Sequence, residues 1–302
     1  MNKLLITLLA SISLSTHVYA LDFGKALEDA VKEQVQGTSP NSTNSTTEKS
    51  SADATESSTN TTQESPKINW KSPSKEDEIS IGREVTGSIL GAAPLVKNSA
   101  LQQYVNKVGR WVATQSERSD LPWKFGVIES DDLNAFAAPG GYVLITKGLY
   151  QRLENESQLA GVLGHEIAHV VKKHQLKIIQ KQALLSYGAD LLGNKLGDNE
   201  LSKKAIGTGA EISARNLDKS AEYEADRMGM ILAASAGYDV YGLAEILNTL
   251  ATVNKDDDSV ALLFKTHPKP DERLTQLGES AGNQLDQLKP GKTLESRLYK
   301  LK

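Results

Sequence analysis

The sequence contains no cysteine. Disulfides are therefore excluded, even for a chain sent to an oxidising compartment. A lipid anchor through a cysteine after a leader, a thiol nucleophile and a thiolate metal ligand are excluded with them. Any metal site must draw on His, Asp and Glu. A basic balance is missing too: 34 Lys and Arg stand against 38 Asp and Glu. A mildly acidic chain gives no electrostatic case for nucleic acid as a partner. Long apolar runs are also missing. Leu4 to Leu14 is too short to span a bilayer comfortably, and LAGVLGHEIAHVV at 159–171 carries three ionisable side chains.

What the first twenty residues contain is a leader pattern. Lys3 supplies the positive start, Leu4 to Leu14 the apolar run, and Val18-Tyr19-Ala20 the small-residue cleavage site. The alternative is an uncleaved anchor. Cleavage removes Lys3 and leaves a chain that is periplasmic if the host is bacterial, with no membrane span after the leader. Residues 21–36 have the spacing of a short amphipathic helix through Phe23, Leu27, Val31 and Val35. The stretch 37–67 is rich in Ser, Thr and Asn and almost free of apolar residues, so it reads as a tether. Asn41, Asn44 and Asn60 match N-x-S/T, but such triplets arise easily in a biased tract.

The folded domain is expected from 74 to 302. Ser74 caps a helix with Ile79, Val85 and Ile89 on one face, and a second helix is expected at 99–116. WKFGVIES (123–130) and GYVLITKG (141–148) read as strands joined through NAFAAPG, with a turn at Pro139-Gly140-Gly141. Helices follow at 156–187, 199–216, 218–236 and 240–253, with a shorter one after Pro270. The expected class is α+β, mainly α, with a small sheet beside the helix of 156–187.

That helix carries His165-Glu166-Ile167-Ala168-His169. Four residues advance a helix by about 400°, so both imidazoles stand on one face and can reach one Zn²⁺. Glu166 falls beside them, placed to take a proton from a water that the metal acidifies. Three ionisable groups on an apolar segment are costly without a partner, and a metal is the economical one. A catalytic zinc needs a third protein ligand. Lys172 and Gln175 stand where a metzincin has Gly and His. Gly188, Ala189 and Asp190 offer no glutamate about twenty residues on. Glu222 is the next candidate, with Asp226 one turn later as acceptor for a ligand imidazole N–H. Glu224 reads as a solvated face. His174, about 140° round from His169, is expected at the surface.

H-E-I-A-H followed by Glu222-Tyr223-Glu224-Ala225-Asp226 resembles the gluzincin family that includes the HtpX heat-shock proteases and the CAAX prenyl proteases. Asn134 to Val143, and His267-Pro268 followed by Arg273, resemble it as well. The resemblance implies a zincin-like fold and one zinc held by His165, His169 and Glu222. It also implies Glu166 as catalyst and Asp226 as support or proton donor. Those proteases are membrane-embedded, so the chain is more similar to the family's secreted bacterial subgroup, the envelope quality-control proteases of BepA and LoiP type. Polypeptide substrates follow, with outer-membrane or other envelope assembly proteins as partners.

Three further readings stay open. His267 is a fourth ligand or gate, an oxyanion donor, or a turn residue. Arg273 clamps a substrate carbonyl or an acidic neighbour. Asn134 and Ala135 line a substrate cleft against an edge strand at 141–146, or belong to a plain core hairpin. Beside the hydrolase stand two other classes: a chaperone or adaptor for unfolded chains, and a module in which zinc only staples helices.

Overall fold

The computed structural model describes residues 68–190, 217–254, 257–281 and 291–301. The leader, the helix and tether of 21–67 and the helix expected at 199–216 lie outside them.

Helix α1 (Lys75–Ala92) opens with a full capping box: the Ser74 side chain accepts from Asp77 N, and the Asp77 carboxylate accepts from Ser74 N. Helix α2 (Ser99–Ala113) is capped by Asn98 and turns Leu101, Val105, Val108 and Val112 inward. Three strands follow, β1 (Lys124–Ile128), β2 (Ala135–Ala138) and β3 (Tyr142–Thr146), in the order β1-β3-β2. β3 is central and buried at every residue, which accounts for its unbroken apolar run. Phe125, Val127, Val143 and Ile145 face the main core, while Ile128, Tyr142 and Leu144 face a second cluster under α1.

Two expectations are corrected here. β1 and β3 pair in parallel, so they do not form a hairpin. The hairpin is β2–β3, because the segment taken as a connection contains β2. Its turn at Pro139-Gly140-Gly141 needs glycine, with φ of 75° and 99° at Gly140 and Gly141. The edge strands are therefore β1 and β2, and the strand at 142–146 is paired on both sides.

A short helix α3 (Lys147–Arg152) leads to α4 (Glu156–Val171), buried along its whole length. The expected single helix of 156–187 is two. α4 ends at Lys172, Lys173 takes a left-handed φ of 59°, and α5 (His174–Asp190) starts anew. Helices α6 (Lys219–Ser235), α7 (Gly242–Ala251), α8 (Asp258–Thr266) and α9 (Pro270–Ala281) complete the helical layer, with a 3₁₀ turn at Glu295–Arg297. Helices α3 and α8 are not expected from the sequence. The class is α+β, mainly α, with the sheet's β2 side against α4.

α4 and α6 cross with backbones nearly touching. A Cβ on Gly164 would lie 2.6 Å from Gly229 O, and one on Gly229 would lie 2.6 Å from His165 N. Glycine at both positions lets α6 bring its first turns against the middle of α4.

Candidate metal centre

Four side chains converge where α4, α6 and the end of α8 meet. They are His165, His169, Glu222 and His267, all buried, with one ligand atom from each within 4.8 Å of the others. His165 and His169 lie one turn apart on α4, with Nε2 atoms 3.0 Å from each other. Glu222, in the first turn of α6, presents Oε2 3.7 Å from His165 Nε2 and Oε1 3.6 Å from His169 Nε2. His267 is the C-cap residue of α8, and its Nδ1 lies 2.5 Å from Glu222 Oε2. Helix caps set these positions: Asn155 starts α4, Asp218 starts α6 and Asp257 starts α8.

The residues fit a divalent cation. Glu222 Oε1 is fully buried and has no hydrogen-bond partner among the described residues. An orphaned carboxylate oxygen facing imidazole nitrogens is explained by a cation between them. Zinc bound to N and O at 2.0–2.1 Å sets neighbouring tetrahedral ligand atoms about 3.3 Å apart. The separations of 3.0, 3.6 and 3.7 Å bracket that value. Two imidazoles and a carboxylate are a borderline-hard set suited to zinc.

Around the four stands a second layer. His165 Nδ1 donates to Asp226 Oδ1 at 2.8 Å. Arg273 holds that carboxylate from the other side, with Nε to Oδ2 at 2.9 Å and Nη2 to Oδ1 at 2.5 Å. Burial acts to raise the Asp226 carboxyl, but the Arg273 guanidinium outweighs it and holds the group well below the carboxylate range. The Arg273 guanidinium is thus engaged with an acidic neighbour and is itself buried. Burial likewise works against ionised Glu222, and His267 and His169 more than offset it. Burial, with Coulomb repulsion from His165, pulls His169 far below the usual imidazole value and keeps it neutral, the form that binds metal.

Glu166 adjoins the same space. Burial pushes its carboxyl upward, against the pull of His165 and His267. That is the direction a general base needs for work near neutral pH. Asn134 and Ala135 stand across from it. Asn134 is fully buried, donates Nδ2 to Thr266 Oγ1 at 3.4 Å and leaves Oδ1 without a partner among the described residues. Ala135 shares one small cavity with Glu166, His169 and His267, and another with His165, Glu166 and Leu263.

His174 is not at the surface: it is buried, with Nδ1 2.9 Å from His169 Nδ1 and Nε2 3.4 Å from Glu224 Oε2. Helical spacing could not reveal this, since the break at Lys173 resets the phase and no glycine or proline announces it. Glu224 is partly exposed and pairs with Lys172 and His174.

Residues 99–281 match the profile of peptidase family M48. The chain belongs to this family. Among curated proteins it is similar to the beta-barrel assembly-enhancing protease of Yersinia pestis, 30% identical over 74% of this chain and 47% of that protein. It is 29% identical to the protein of the same name in Escherichia coli, over 70% of this chain and 45% of that one. The mitochondrial metalloendopeptidase OMA1 of Schizosaccharomyces pombe is 28% identical over 58% of this chain and 52% of its own length. The chain thus spans about half the length of these curated relatives. The M48 match contains every residue of the convergent cluster, as well as Glu166, Asp226 and Arg273. Among the described residues, no helix is long and apolar enough to cross a membrane.

Proposed function

We propose that this M48 chain is a zinc-dependent endopeptidase with His165, His169 and Glu222 as metal ligands, Glu166 as general base and Asp226 as support. The observation that carries this is the Glu222 carboxylate between two imidazole nitrogens, its orphaned Oε1 facing His169 Nε2 and its Oε2 3.7 Å from His165 Nε2, with Glu166 alongside. When bound, zinc polarises the scissile carbonyl and acidifies the attacking water. The chain's own groups do the rest. Glu166 accepts the water proton and passes it to the leaving amine nitrogen. Asp226, gripped by Arg273, keeps the proton of His165 on Nδ1 and so leaves Nε2 free to coordinate. The β2 edge beside Ala135 supports an extended substrate backbone by strand addition, which binds many sequences.

The substrates we propose are unfolded or misassembled cell-envelope proteins. The leader pattern and the names of the bacterial relatives support this. Export to the periplasm follows from the same reading, with envelope assembly proteins as partners. A chaperone or adaptor with little proteolysis is the competing class. Casein degradation by the full chain, with and without a chelator and beside Glu166→Gln, separates them. We expect the chelator to stop cleavage and Glu166→Gln to slow it by about 10²–10⁴-fold while still binding zinc. Undiminished cleavage by Glu166→Gln would remove Glu166 from the mechanism, and no cleavage by the parent would favour the adaptor.

A further inference from the structure

The outer nitrogen of each α4 histidine has a partner. For His165 it is Asp226, backed by Arg273. For His169 it is another imidazole: the two Nδ1 atoms of His169 and His174 lie 2.9 Å apart, both rings buried and set edge to face. At that distance a single proton lies between them, so one ring donates and the other accepts. Which one donates follows from the surroundings. His169 turns Nε2 toward Glu222 and His165 Nε2, so its proton belongs on Nδ1. His174 Nδ1 then accepts, and the proton of His174 sits on Nε2. That atom faces the Glu224 carboxylate at 3.4 Å, an acceptor. One choice of tautomers satisfies the whole series. The reverse choice would put a proton on His169 Nε2, in the middle of the convergent ligand atoms.

We propose that His174 is a positioning residue for His169, fixing its ring and tautomer so that Nε2 is presented to the metal. This rests on the metal-site reading above. The backbone supports it independently. On an unbroken helix His174 would stand about 140° away from His169. Lys173 instead adopts the left-handed region, unusual for a side chain other than Gly, Asn or Asp. Its ammonium group is held by buried Glu78, which Arg118 also pairs. The turn swings α5 back so that its first residue meets His169. A non-glycine residue kept in this conformation beside a functional cluster points to a geometry that the surrounding fold maintains.

The test is the zinc affinity of the full chain, measured by competition with a chromophoric chelator. The parent is compared with His174→Leu and His174→Asn. His174→Leu leaves the His169 N–H buried without an acceptor, and we expect affinity to fall by about 10–100-fold. Asn sets an oxygen near the place of Nδ1, so His174→Asn is expected to recover most of the loss. Circular dichroism of the metal-free proteins controls for folding. A parent that binds no zinc overturns the metal reading and this inference together. A parent that binds zinc, with His174→Leu equally tight or with Leu and Asn equally impaired, overturns this inference alone. Imidazole ¹⁵N spectra of the zinc-loaded parent decide the matter even if the Leu variant does not fold. The proton of His174 is expected on Nε2, and a proton on Nδ1 contradicts the proposal.

Discussion

His267 makes the shortest polar contact among the four convergent side chains, 2.5 Å from Nδ1 to Glu222 Oε2. It caps the C-terminus of α8, and Pro268 and Pro270 follow it, limiting the turn that carries it. The carboxylate raises the affinity of His267 for a proton against the effect of burial. In this position the ring lines the cavity shared with Ala135, Glu166 and His169. A catalytic zinc keeps one position open for substrate, and a side chain standing beside it competes for that position. His267→Ala is therefore expected to raise the rate of casein cleavage several-fold at unchanged zinc content. An oxyanion role predicts the opposite, a fall of about 10²–10³-fold. The direction of the change in initial rate distinguishes the two. His267 was open to suspicion from the sequence because His267-Pro268 followed by Arg273 resembles the family pattern. His174 was set aside by a helical phase that the fold does not keep.

At the scale of elements, the site depends on how closely α6 approaches α4. Gly229 faces His165 N, and the space there accepts no Cβ. Gly229→Ala must push the helices apart by several tenths of an ångström or more, and Glu222 sits two turns earlier on the same rod. Helix propensity favours alanine over glycine by about 1 kcal/mol. Overpacking of backbone against backbone opposes this by about 1–3 kcal/mol. The variant is expected to lose stability in urea despite its better propensity, and to bind zinc more weakly. A gain in stability would show that the crossing is looser than described. Neither glycine advertises this role in the sequence, since close approach is a property of the partner helix. The helices themselves were legible because Ser74 caps α1 and because α1 and α2 turn apolar stripes inward. The sheet was legible only in part. β1 and β3 carry buried apolar runs, but Ala135-Phe136-Ala137-Ala138 has neither strict alternation nor β-branched residues, so its sequence reads as a connection. The parallel pairing of β1 with β3 follows from that insertion and could not be read without it.

For the molecule as a whole, the cluster concentrates costly groups in one place. Glu166, Glu222, Asp226, Arg273 and four imidazoles are all buried within a few turns of α4 and α6. Ionisable groups removed from water are tolerated only when paired, and Glu222 Oε1 has no hydrogen-bond partner among the described residues. The rest of the fold is secured elsewhere. Buried Glu156 accepts from Tyr104 and Tyr238 and pairs with Arg297, tying α2, α4, the end of α6 and the C-terminal turn together. The main core spans the sheet and the helices on one side of it. The metal-free chain is therefore expected to fold, yet to melt earlier. A ligand that binds only the folded state at a free concentration of 100 times Kd adds about 2.7 kcal/mol. For a domain of 150–250 residues each kcal/mol moves Tm by about 2–4 °C, so chelation should lower Tm by roughly 5–10 °C. The shift should grow logarithmically with free zinc and should vanish in a variant lacking both His165 and Glu222. Thermal melts followed by circular dichroism over a series of buffered zinc concentrations measure it. A Tm indifferent to zinc in the parent would mean that the convergent side chains stabilise one another without a cation, and the orphaned Glu222 oxygen would need another partner.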